Sequence, residues 1–166
     1  MNTATDRAER PASGRQGIWT TRDEDRAGEH YFIGTGVISF KVLTDDSQGS
    51  LLVVEQVLRD RGGPPRHLHH YQDEWFYVVE GQYRFEIGDE QFLLEPGGSA
   101  FGPRGVSHAW AFVGEGTGRI LFVFTPAGRI EAFFHEVGRL KAVAPQDPAF
   151  WPPFELELVG PPLDIL

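Results

Sequence analysis

Between Gly36 and Thr125 the chain breaks into short apolar or alternating segments, each closed by glycine, proline, aspartate or serine. The segments are "GVISFKVL" (36–43), "SLLVVEQVL" (50–58), "EWFYVV" (74–79), "YRFEIG" (83–88), "EQFLLE" (90–95), "SHAWAFVG" (107–114) and "GRILFVFT" (118–125). They are rich in Val, Ile, Phe, Tyr and Trp, and too short for helices. Strands at such spacing build an all-β sandwich or barrel. "IGDEQF" reads as a tight hairpin with Gly88 and Asp89 at the bend.

The flanks differ. Residues 1–16 are small, charged and polar, and read as a disordered arm, with one domain over 17–166. In "RIEAFFHEVGRL", Ile130, Phe133, Phe134 and Val137 recur at helical spacing, so a helix is expected over 129–138, with Gly138 as its stop. The Pro-rich tail, 144–166, contains "FELELV". There Phe154, Leu156 and Leu158 alternate with Glu155 and Glu157, a strand pattern with one buried face. Such a strand covers an open edge of its own barrel or of a partner's.

With 166 residues the chain suits one domain with a real core. A formal charge of −9 argues against nucleic acid and against an anionic membrane surface, since both select a basic footprint. No apolar run approaches a membrane span, and the polar N-terminus lacks a signal region, so a cytoplasmic location is expected. With no cysteine, any metal must be held by nitrogen and oxygen.

Three of the six histidines fall in "RHLHHYQDEWFYVVEG". On a strand, residues i and i+2 share a face, so His67 and His69 lie together and His70 points away. Paired imidazoles bind divalent metals, and a turn in "HYQD" can return Glu74 as a third donor. The alternative is a solvated loop that is merely His-rich. His108, in a later strand, offers a fourth donor. His30 and His135 are isolated and read as surface or structural residues.

These two segments resemble the paired motifs of the cupin superfamily. The first motif is met by His67-x-His69, four residues, Glu74, six residues and Gly81. Its leading glycine is one position off, since four residues separate Gly62 from His67. The second is met by Gly97, Pro103, Gly105 and His108, with Phe112 where the family usually has Asn. Fifteen residues lie between Gly81 and Gly97, similar to the short spacer of bacterial cupins. "FVFTPAGRIEAFF" and "GPPL" are similar to small single-domain bacterial cupins of the quercetin-dioxygenase-like kind.

The resemblance implies a jelly-roll antiparallel β-barrel, with motif 1 over 62–81 and motif 2 over 97–112. It implies that His67, His69, Glu74 and His108 hold one divalent transition metal (Fe, Mn, Ni, Co or Zn), and that the protein pairs as a homodimer. The tail strand and the segment near Trp19 are the pieces expected at that interface. Three imidazoles and a carboxylate leave a coordination position open, the mark of a catalytic rather than a structural site. Phe76, Phe101, Trp110 and Phe112 are expected to wall a substrate pocket beside it. The function expected is a dioxygenase acting with O₂ on a small aromatic or enolic, flavonol-like substrate, with Glu74 as ligand and proton acceptor. The alternatives are a non-redox isomerase or cyclase, and a non-catalytic small-molecule-binding module.

Overall fold

Side chains on a strand alternate between faces, and in this chain one of the two faces is consistently apolar. In the computed structural model, which describes residues 17–140 and 146–165, that alternation closes two antiparallel sheets over a common core. The arm expected over 1–16 lies outside the described residues. The strands are β1 (Tyr31–Ile33), β2 (Gly36–Val42), β3 (Leu52–Leu58), β4 (Pro65–His69), β5 (Asp73–Glu80) and β6 (Tyr83–Ile87). There follow β7 (Glu90–Leu94), β8 (Ser99–Gly102), β9 (His108–Phe112), β10 (Gly118–Thr125), helix α1 (Ile130–Leu140) and β11 (Leu156–Pro162). One sheet runs β1-β2-β3-β10-β5-β8, the other β11-β4-β9-β6-β7. The all-β expectation holds.

The inward rows carry the core. Tyr83 and Phe85 point in from β6 while Arg84 and Glu86 point out. Phe76 of β5 meets Phe85 edge-on at 5.1 Å and Phe122 of β10 at 5.8 Å between ring centres. Each such fully buried phenylalanine contributes about 1.5–3 kcal/mol by leaving water. The β6–β7 hairpin pairs Ile87 with Glu90 around Gly88, whose φ of 56° suits glycine.

Three expectations need correction, two of them on the C-terminal flank. Gly138 does not end α1; it is buried inside it, where a Cβ would lie 2.4 Å from the Tyr31 ring. Its lack of a side chain lets β1 approach the helix. The tail strand begins at Leu156 rather than Phe154. Residues 152–154 form a 3₁₀ turn, and Glu155 at φ 66° breaks the alternation. β11 then pairs with β4 of the same chain, Leu156 opposite His69 and Leu158 opposite His67.

Phe112 is the third. Its ring fills a socket made by three glycines at the end of the barrel where β9 bridges to Gly62. A Cβ at Gly81 or Gly118 would come within 2.7 Å of it, and one at Gly114 within 2.9 Å. Phe112 is therefore core, not pocket wall, and the glycine that closes motif 1 is there to admit its ring. Phe112→Ala should cost about 3–5 kcal/mol by leaving that socket empty. Chemical denaturation checks this, and an unchanged midpoint would remove Phe112 from the core.

Candidate metal centre

Register brings the four predicted donors together. His67 and His69 point inward from β4, and His67 stands directly opposite His108 of β9. Glu74 enters from β5 in the facing sheet, where its backbone pairs with Phe124 and Gly102. A Cβ at Gly102 would stand 3.3 Å from the His108 ring, so glycine there leaves the imidazole its space. All four residues are buried, and one donor atom from each lies within 4.8 Å of all the others. Nitrogen and oxygen donors at about 2.0–2.2 Å from one ion have spacings of this order.

Hydrogen bonds orient the rings. Nδ1–H of His67 donates to the Pro65 carbonyl at 2.8 Å, and Nδ1–H of His108 to the Val106 carbonyl at 3.2 Å. A carbonyl only accepts, so both Nδ1 atoms must carry the proton. In a neutral imidazole that leaves Nε2 bare. Yet Nε2 of His108 faces the Glu74 carboxylate at 2.9 Å. Nε2 of His69 stands 3.0 Å from the same oxygen, close but off the line of a hydrogen bond. Nδ1 of His69 has no partner among the described residues. Lone pairs thus converge on one buried point, and a cation there relieves the repulsion. The donor set fits a transition metal better than Ca²⁺ or Mg²⁺, which favour oxygen ligands.

The electrostatics agree. Burial pushes the His67 imidazole down to about 3, and the neighbouring His108 and His69 add to that. Burial would push the Glu74 carboxyl up, but the His108 and His69 imidazoles overcome it and hold it well below the usual carboxylate range. His67 is therefore a neutral imidazole and Glu74 an ionised carboxylate, the protonation states a metal takes.

Beside the cluster lies a cavity of about 170 Å³ that reaches His67, His69 and Glu74. Its wall is aromatic: Trp110, Phe122, Phe124, Phe133, Phe134 and Trp151. Of the four pocket residues expected, Trp110 lines it. Phe76 is fully buried behind it, its ring 5.7 Å from that of His108. Phe112 fills the glycine socket. Phe101 is on the outer face of β8, 54% exposed, because Ala100 and Gly102 take the inward positions. Sequence reasoning missed Phe133, Phe134 and Trp151, which reach the cavity from the helix and tail. For Phe133 and Phe134 the helical period of 130–137 was the early signal; Trp151 had none.

Three other histidines stay apart from the centre. His70 is exposed and 3.3 Å from Glu157. His30 contacts Ser39, and His135 packs against Tyr31 and Phe40.

Two facing antiparallel sheets around a buried three-histidine, one-glutamate cluster define a β-barrel class with an internal metal-competent site. Residues 54–124 match the family model of the cupin domain. No curated protein sequence matches the chain. Among solved structures it is similar to KdgF from Halomonas sp., at 20% identity and a TM-score of 0.56 over 67% of this chain and 94% of that one. It is similar to an RmlC-like cupin from Shewanella frigidimarina, at 23% and 0.55 over 68% and 93% of the two chains. A predicted oxalate decarboxylase from Thermotoga maritima follows at 17% and 0.52, over 55% and 80%. At these identities the likeness establishes the fold.

The pH dependence of the metal-stripped protein tests the cluster. Unfolded His67 takes up a proton near its ordinary value of 6.5, which the folded chain refuses until about 3. Stability should therefore fall as pH drops from 6.5, with a slope approaching about 1.4 kcal/mol per pH unit from this group. Glu74 adds to the loss at more acid pH, because its folded carboxyl resists protonation below the ordinary range. Denaturant titrations in chelator between pH 7 and 4 read this; a flat profile would contradict the burial of a neutral His67.

Proposed function

We propose that His67, His69, Glu74 and His108 hold one divalent transition metal, and that the protein is a dioxygenase for a small aromatic or enolic substrate. The observation that carries this is the junction of the donor cluster with an aromatic-walled cavity. A cavity near 150 Å³ accepts benzene, so this one takes a single substituted ring of a flavonol-like molecule. Among the described residues neither arginine nor lysine lines it, which disfavours the dianion that an oxalate-decarboxylase-like reaction would bring.

A bound metal supplies Lewis-acid activation of a substrate oxygen and a place to meet O₂. The chain does the rest. The stacked aromatic wall holds the ring flat and excludes water. The backbone carbonyls of Pro65 and Val106 fix the imidazole tautomers. Among the described residues Glu74 is the one carboxylate that faces the cavity, and it accepts the proton of an enolic hydroxyl. Both atoms of O₂ enter the substrate, so the electrons balance without a further reductant.

The test is metal analysis of the purified protein, then O₂-electrode traces with flavonols and single-ring enolisable phenols. We expect about one metal per chain, its loss in His67→Ala and Glu74→Ala, and metal-dependent O₂ uptake. Full metal in both variants would refute the ligand set. Turnover without O₂ uptake would assign isomerase or cyclase chemistry instead, and metal-dependent binding without turnover a binding module.

We also propose that the chain forms a homodimer. What supports this is an apolar patch on the outer face at the β5–β8 edge. Trp75 and Phe101 are cross-strand partners there, both exposed, and Tyr77 stacks on Trp75 at 5.7 Å. Trp19 is exposed as well. Light scattering at micromolar concentration should give a dimer, and Trp75→Glu with Phe101→Glu should shift it toward monomer while leaving metal content intact. A monomeric parent protein would end the idea.

A further inference from the structure

The cavity has a second polar pole that the metal centre does not use. Thr35, in the β1–β2 turn, and Gln56 of β3 both line it, at the end where Gly62 bridges to Phe112. The donor cluster lies at the other end. Gln56 pairs with Ile120, and Ile120 with Val78; the row that holds Glu74 contains Phe124 and Leu52. Leu52 and Gln56 are four residues apart on one strand, a separation of about 13 Å between backbones. Phe122, opposite Val54 of β3, stands between the two rows.

These polar groups are not spent on the fold. Gln56 is 7% exposed. Its amide nitrogen donates to the Ile33 carbonyl at 3.1 Å, which fixes the orientation of the carboxamide. Oε1 makes no hydrogen bond among the described residues and is left as an acceptor. The Thr35 hydroxyl is buried and has no hydrogen-bond partner among the described residues either. A buried polar group without a partner, as the Thr35 hydroxyl is among the described residues, destabilises the fold unless something binds it. An otherwise apolar cavity with few, placed polar groups is how a protein selects a ligand's orientation.

We infer that Gln56 and Thr35 form a specificity subsite for a hydroxyl carried by the substrate remote from its metal-binding oxygens. The substrate class is then a flat phenolic or enolic ring with vicinal oxygens at one end and a hydroxyl-bearing substituent at the other. The ligand hydroxyl donates to Gln56 Oε1, and Thr35 Oγ1 donates to or accepts from it. This rests on the proposed function, which places the first oxygens at the metal.

The test uses the full-length, metal-loaded protein under argon, so that binding is read without turnover. The probes are 4-ethylcatechol and 4-(hydroxymethyl)catechol, near-isosteres that differ by a methyl against a hydroxyl. Calorimetry should show the hydroxymethyl compound binding about 3- to 10-fold tighter, the worth of one hydrogen bond. Thr35→Val and Gln56→Met should each shrink that preference toward equal binding of the two probes. Thr35→Val removes no hydrogen bond within the protein, so it should fold normally even if Gln56→Met, which frees the Ile33 carbonyl, does not. Equal binding of the two probes, or a preference that survives Thr35→Val, would overturn the subsite while metal-dependent binding of 4-ethylcatechol upholds the metal reading. Failure of both probes to bind in a metal-dependent way would remove the proposed function, and the subsite with it.

Discussion

Three imidazoles and a carboxylate sit together in the interior of an apolar barrel, and the rest of the molecule is arranged to make that tolerable. Each buried polar group must find a partner or destabilise the fold by a few kcal/mol. Here the partners are local carbonyls for the Nδ1 atoms of His67 and His108, while Nε2 of His108 and Nε2 of His69 crowd one oxygen of Glu74. What remains, the bare nitrogens and the unpaired Nδ1 of His69, is the part a cation satisfies. The same feature therefore links fold and chemistry. It makes metal-stripped protein sensitive to acid, and it makes metal binding a source of stability.

Strand periodicity is the reason most of the centre was legible in the sequence. Parity alone separated His67 and His69 from His70, and aligned Glu74 with Phe76 and Val78 on the inner face. The 3.6 period of 130–137 gave the helix. What parity could not give was the meaning of small residues. β8 hides in "GGSAFG", where Ala100 and Gly102 take the inward positions and the bulky Phe101 faces out, the reverse of a size-based reading. Gly138 and the glycines around Phe112 likewise mark close approach rather than turns or pocket space. Each case depends on a partner distant in sequence, which no local pattern encodes. β3 shows a related limit. Its run "LVVEQVL" buries both Glu55 and Gln56, on opposite faces. Glu55 is held outside by Arg119 and Lys41, and Gln56 lies inside at the cavity.

The distribution of the cavity's parts along the chain suggests how such a site acquires its selectivity. All four donors lie within residues 54–124, the stretch that matches the cupin model. Much of the wall does not. Ile33 and Thr35 come from before it, and Ile130, Phe133, Phe134, Trp151 and Leu156 from after it. β11 lies beside the ligand strand β4 with Leu156 opposite His69, and the Trp151 ring packs 5.5 Å from that of His67. The shared barrel thus supplies donors whose positions are fixed by strand register, where a one-residue slip would turn them to the outer face. The helix and tail supply surfaces that can change without disturbing that register. A chain built this way keeps its donor cluster while its flanks alter the shape and polarity of the space beside it. What the cavity can hold is therefore set largely by residues outside the family match, together with Gln56 within it.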